Sequence, residues 1–191
     1  MPRFVTFLLL LQFSIGFGQV SERITKKATD ALAFCKKNNM NTGFCFLVDM
    51  SIKSGKNRFY IYDFKTNTIT KSGLVCHGMG KNSGEEKPVY SNESGSNCTS
   101  LGKYRTGKRA YSNWGINIHY KIHGLEKSNS NAFKRQVVLH SYDYVEDKEI
   151  YPASLTLGWS KGCPVVGNEM MKKVDALLKK AKKPTLIWIF E

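Results

Sequence analysis

The sequence predicts a mainly β domain, a mixed-β sandwich or partial barrel, with one helix at its N-terminus and one after Cys163. Three observations carry this. Short β-prone runs outnumber helix-period segments, the turns between them are short enough to favour antiparallel pairing, and only two stretches repeat apolar residues at helical spacing. The chain has 191 residues, enough for one domain with a proper core, and 41% hydrophobic with 23% charged residues is a globular composition.

Met1 to Gly18 reads as a secretory signal peptide. Arg3 gives a positive start, Val5 to Phe13 is apolar except for Gln12, and Gly16 and Gly18 are the small residues a signal peptidase reads. The run is too short for a comfortable membrane span. Residues 19–191 then form a single exported domain, with no stable span once the signal is removed.

Ser21 to Asn39 places Ile24, Ala28, Ala31, Leu32 and Cys35 on one helical face, with Ser21 as N-cap and Asn38-Asn39 as terminator. Phe44 to Met50 is a continuous β-prone run. Arg58 to Phe64, a turn at Lys65 to Thr68, and Ile69 to Cys76 complete a meander. Asp49 and Asp63 read as turn or edge residues. His77 to Thr99 is a long polar connection rich in Gly, Ser and Asn, and connections of that length are usually functional; a lid or a substrate-binding wall is expected. Its glycines lack the Gly-Lys-Ser/Thr ending of a phosphate loop. Leu101 to Thr106 and Gly115 to His123 read as strands. In the second, Asn117, His119 and Lys121 alternate with Ile116, Ile118, Tyr120 and Ile122, so the His119/His123 spacing belongs to a strand and lacks a third metal ligand. Gln136 to His140 is another strand. Asn168 caps a helix running to Lys183, with basic residues in its last turns, and Pro184 stops it before a closing strand, Thr185 to Phe190. Both helices are expected to pack outside the sheet.

The formal net charge is +14. For an exported chain this points to anionic envelope polymers or membrane surfaces rather than nucleic acid, although dispersed lysines also make an ordinary solvated face. Five cysteines, Cys35, Cys45, Cys76, Cys98 and Cys163, leave at least one thiol unpaired within the chain. Cys163 is the candidate for that thiol. Pairing among the other four is open, and no CxxC spacing supports a zinc or thioredoxin site.

Val137 to Ser141 is a buried strand ending on His140, and Ser160-Lys161-Gly162-Cys163-Pro164 is a polar turn with glycine directly before the thiol. A thiol needs a base to become a nucleophile at neutral pH, and a strand-end imidazole can serve. Gly162 lets a substrate carbonyl approach the backbone, whose N–H groups around Gly162-Cys163 could hold an oxyanion. Lys161 should favour the thiolate. The bland alternative is a small buried cysteine in a turn and a structural histidine. Export, the spare thiol and the order of the two elements together favour a cysteine acyl-transfer site.

His140-Ser141 and Gly158-Trp159-Ser160-Lys161-Gly162-Cys163-Pro164 resemble the murein L,D-transpeptidase catalytic-domain family, in its Bacteroidetes-like Ser-x-Gly-Cys-Pro branch. Ser91-Asn92 with Gly95, Ser100 to Tyr104, Gly124-Leu125-Glu126, Asn131-Ala132, Arg135 and Tyr144 extend the resemblance over about half the chain. Two features depart from the better-known signature: Lys161 stands where a second histidine would be, and Pro164-Val165-Val166 replaces the usual tail. The resemblance implies the mixed-β catalytic fold of that family. It implies Cys163 as nucleophile, His140 as base and the Ser141 backbone carbonyl as the group orienting the imidazole. A thioester on the third residue of a peptidoglycan stem peptide then gives a direct 3→3 cross-link with an amine, or carboxypeptidase action with water. Arg135 and Asn131 would bind a substrate carboxylate or brace the site, with Ser160, Lys161, Tyr144, Ser91 and Asn92 as further substrate-side residues. No cofactor or metal is implied, and a periplasmic monomer acting on stem peptides is expected. Two other functions compete. One is a catalytically inactive peptidoglycan-binding module. The other is a secreted cysteine peptidase, disfavoured because the papain-like Cys-Gly-Ser-Cys-Trp context is missing.

Overall fold

A computed structural model describes residues 22–191; the signal segment and the Ser21 cap lie outside them. Helix α1 covers 22–37. Strands β1 (Phe44–Asp49), β2 (Phe59–Asp63), β3 (Thr68–Gly73), β4 (Val75–Cys76), β5 (Gly102–Tyr111) and β6 (Ile118–Gly124) follow. A short 3-10 turn at Lys127–Asn129 precedes β7 (Val138–Ser141), β8 (Val165–Val166), helix α2 (Asn168–Leu178) and β9 (Leu186–Phe190).

All nine strands join one sheet in the order β3-β2-β1-β9-β5-β6-β7-β8-β4. Its two edge strands, β3 and β4, are separated in sequence only by the buried Leu74. A single residue spans at most ~3.6 Å, so the sheet must curl until its edges nearly meet. The result is a nearly closed, barrel-like mainly β fold with two helices, as the sequence predicts. The expected single strand from Ile69 to Cys76 is therefore two strands, broken where the chain passes from one edge to the other.

Alternation along β1 and β9 explains their continuous apolar character. Phe46, Val48, Ile187 and Ile189 face the main core, while Cys45, Leu47, Leu186 and Phe190 face α1 with its Ile24, Ala28, Ala31 and Cys35. Strands buried on both faces lose the polar alternation of surface strands. Full burial of Ile24 alone contributes about 2–3 kcal/mol.

Helix α2 packs Met170, Met171, Val174 and Leu178 into the main core beside Phe46, Tyr120 and Leu139, on the opposite side of β1 from α1, while Glu169, Lys172 and Lys173 stay exposed. It differs from expectation at its two ends. It ends at Leu178 rather than Lys183, with no basic residue in its last turn, before a run of crowded lysines. Its N-cap is Gly167, with no side-chain cap bond, while Asn168 donates from Nδ2 to Asp143 Oδ1 at 2.9 Å. The buried carboxylate of Asp175 ties α2 to the sheet, accepting from Tyr120 Oη at 2.8 Å and Arg109 Nε at 2.7 Å.

Pairing is not wholly antiparallel. The pairs β1 with β9 and β7 with β8 are parallel, and β9 inserts between β1 and β5 rather than lying at an edge. The strand expected at Leu101 to Thr106 runs on to Tyr111 through a bulge between Thr106 and Arg109. None of the five cysteines is bridged in the structure.

Candidate active site

The parallel pairing of β7 with β8 sets His140 opposite Val165, two residues after Cys163. The turn before Val165 is built from its own polar groups. Ser160 Oγ donates to the Cys163 carbonyl at 2.6 Å and accepts the Gly162 N–H at 3.0 Å. Gly162 has φ 110°, and a Cβ there would lie 2.6 Å from the Cys98 carbonyl oxygen, so only glycine fits. The Gly162 N–H is thus turned toward Ser160 and is not available to an oxyanion. Among the described residues the Cys163 N–H, like those of Ser160 and Lys161, meets no acceptor, so the residue that bears the thiol keeps a free donor.

Behind the turn lies the long connection of residues 77–99. Met79 N–H donates to the Ser160 carbonyl at 2.8 Å. Arg58 donates to His77 Nδ1 at 2.9 Å, so His77 carries its proton on Nε2, which donates to the Gly84 carbonyl at 2.9 Å. Burial, and then the Arg58 charge, push the His77 pKa down to about 4. The connection contributes no residue to the cleft lining. Its ends are buried at His77-Gly78 and Cys98-Thr99, while residues 81–97 are exposed or half-buried.

Arg135, Asn131, Ser91 and Asn92 belong to the same brace. Arg135 donates to the carbonyls of Ser91 (2.9 Å) and Cys98 (2.5 Å) and to Ser100 Oγ (2.5 Å). Asn131 and Asn92 bond each other, Asn131 Nδ2 donating to the Asn92 carbonyl at 3.0 Å and the Asn131 N–H to Asn92 Oδ1 at 3.1 Å. None of the four lines the cleft. Of the two roles expected for Arg135, the geometry favours the brace.

His140 is buried at the end of β7, and its Nδ1 lies 2.9 Å from the Ser141 carbonyl. A carbonyl only accepts, so the proton sits on Nδ1 and Nε2 keeps its lone pair. Ser141 Oγ in turn accepts the Ile116 N–H at 3.1 Å, which fixes the segment. Burial lowers the His140 pKa below its ordinary value; the bond to Ser141 opposes this, and His119 adds to it. Burial also raises the Cys163 pKa, against the Val138 N–H at 3.5 Å and the charges of Arg135 and Lys121. The cations acting on the sulfur are therefore not Lys161. Both shifts favour neutral thiol with neutral imidazole in the resting site, the arrangement of general-base activation rather than a preformed ion pair.

Cys163 and His140 share one cleft of about 650 Å³. Ser160 and Lys161 line it as well, and Trp114, Tyr142 and Trp159 wall it with aromatic rings. Tyr144 is outside the lining but touches that wall, its ring 5.3 Å from Tyr142 and 6.1 Å from Trp159. Sequence reasoning missed His119, Lys121, Gln136 and the rings as cleft residues. Alternation in β6 was a usable signal for two of them: Tyr120 and Ile122 enter the core, so His119 and Lys121 must face outward. Nothing local ties Trp114 or Trp159 to the thiol. His123 stacks on Phe133 at 5.1 Å, and no group of three or more His, Cys, Asp or Glu among the described residues could hold a metal.

The family described as L,D-transpeptidase catalytic domain matches residues 18–189, nearly the whole chain. The chain belongs to that family. Membership supports a peptidoglycan-modifying enzyme. Among solved structures, the chain is similar to Bd1075 of Bdellovibrio bacteriovorus, with 18% identity and TM-score 0.47, covering 80% of this chain and 49% of that one. It is also similar to Pgp2, a helical cell shape determining protein of Campylobacter jejuni (14% identity, TM-score 0.45, 78% of this chain and 47% of that one). An L,D-transpeptidase of Xylanimonas cellulosilytica shows 10% identity and TM-score 0.42, over 78% of this chain and 60% of that one. The chain spans about half the length of the first two. No curated protein matches it.

Proposed function

We propose that the domain is an exported cysteine acyltransferase acting on peptidoglycan stem peptides in the periplasm or cell envelope, as a monomer. The observation that carries this is the His140 Nδ1 bond to the Ser141 carbonyl, which holds a basic Nε2 in the cleft that Cys163 shares. His140 Nε2 takes the thiol proton as sulfur attacks the carbonyl of the third stem residue. The Cys163 N–H supports the oxyanion. The C–N bond to the terminal residue then breaks, and the imidazolium returns the proton to the leaving amine. The thioester is resolved by an amine of a second stem, giving a 3→3 cross-link, or by water, giving carboxypeptidase action. In each case His140 again takes the proton of the attacking group. Ser160 shapes the thiol turn, while Lys161, Tyr144 and the aromatic wall contact substrate. Arg135, Asn131, Ser91 and Asn92 act from behind.

The test is the intact mass of the mature protein and its Cys163→Ala variant after incubation with a carbapenem under reducing conditions. An adduct on the wild type that is missing from the variant is expected. An adduct on neither folded protein would turn the reading to a peptidoglycan-binding module, and an adduct on both would place the reactive thiol elsewhere.

A further inference from the structure

Among the described residues, the cleft lining holds two lysines and two histidines but no carboxylate. Arg135, the cation expected to meet a substrate carboxylate, is occupied behind the thiol turn. Lys161 is exposed at the rim. Lys121 stands differently. It is half-buried on β6 in register with Val138, the residue whose N–H meets Cys163 Sγ at 3.5 Å. Lys121 lines the cleft, and its Nζ lies 5.7 Å from the centre of the exposed Phe133 ring beside it. None of the ion pairs among the described residues includes it. His119 and His123 share its face, and burial first, then neighbouring cations, disfavours a proton on either. Besides Arg135, engaged behind the turn, the charge acting on the thiol is that of Lys121, and of the two only Lys121 lines the cleft. A half-buried, cleft-lining ammonium in no ion pair among the described residues is placed to meet an anionic group of a ligand.

We infer that Lys121 forms a carboxylate subsite, the specificity-determining group that reads a free carboxylate on the peptide whose carbonyl Cys163 attacks. The inference deepens the acyl-transfer reading and rests on it for the identity of the peptide. Two carboxylates of a stem peptide share this chemistry, the C-terminal one and one on the side chain of the third residue. A neutral amide at the position that is read loses the charge-assisted bond and leaves Lys121 facing a dipole.

The test measures binding in the Cys163→Ala background, where no thiol effect of Lys121 can contribute. The probes are a synthetic stem tetrapeptide with both carboxylates free and two versions, each amidated at one of them, titrated by calorimetry. The free peptide should bind about tenfold more tightly than one of the two amides, and that amide identifies the carboxylate. Adding Lys121→Met should make all three peptides bind alike, while Lys121→Arg, which keeps a cation, should retain the preference. Three results overturn the subsite: no preference in Cys163→Ala, a preference that survives Lys121→Met, or binding of none of the peptides. Loss of the preference in Lys121→Arg as well would show that the lysine acts by packing, and also overturns it. Turnover by the protein with Cys163 intact reports separately. A free-carboxylate preference without turnover would sink the acyl-transfer reading and leave the subsite standing.

Discussion

Arg135→Met distinguishes a brace from a substrate ligand. The guanidinium makes three hydrogen bonds within the protein, to the carbonyls of Ser91 and Cys98 and to Ser100 Oγ. Bonds to a charged donor are each worth about 1.5–3 kcal/mol net. The group is only part-buried and Nη1 serves two acceptors, so a sum would overcount, and about 3 kcal/mol in all is the reasonable expectation. For a chain of this size, each kcal/mol corresponds to roughly 2–4 °C in melting temperature, so the variant should melt about 6–12 °C lower. Circular dichroism at fixed pH and salt measures this. Arg135→Lys should recover only part of the loss, because a single ammonium cannot reproduce the planar fork. The loss should be accompanied by slower carbapenem acylation, since Nη2 also packs 2.9 Å from the position a Gly162 Cβ would occupy. Melting within about 2 °C of wild type together with lost activity would refute the brace and return Arg135 to a substrate-binding role.

Two further predictions concern the thiol and its turn. The His140 pKa lies below 6.5, so its basic form persists to lower pH than in a free imidazole, and acylation of wild type should rise with pH along a limb centred below 6.5. In His140→Ala the rate should instead climb only toward and above pH 9, following the raised Cys163 thiol, with a loss of about a hundredfold or more at neutral pH; stopped-flow or mass-resolved acylation rates across pH check both limbs. Gly162→Ala places a methyl 2.6 Å from the Cys98 carbonyl at φ 110°, whereas Gly158→Ala, at φ 116°, meets nothing within 4 Å. Both variants carry backbone strain of about 1–3 kcal/mol, and only the first adds a clash of similar size, so Gly162→Ala should melt several degrees below Gly158→Ala in the same scan.

The sequence by itself determined what is written in short-range pattern. The apolar stripe of α1, the runs of β1 and β9 and a histidine near the end of β7 are local signals that the structure bears out, while the strand expected from Gly115 to His123 begins only at Ile118, after a turn in which Asn117 has φ 60°. The orienting bond between His140 and the Ser141 carbonyl was legible too, through family resemblance, because it joins adjacent residues. Tertiary structure decided the rest. An apolar helical stripe states that α2 is buried but not against which face, so only the curl of the sheet placed Met170 and Met171 in the main core. Strand pattern likewise does not name partners, and β9 found β1 and β5 through contacts far apart in sequence. Arg135 could have faced substrate until Ser91, Cys98 and Ser100 came around to meet it. The Gly162 N–H was a candidate oxyanion donor until the fold turned it onto Ser160. Composition and periodicity record how much surface each element must bury, whereas register and long-range closure choose which polar groups remain free to do chemistry.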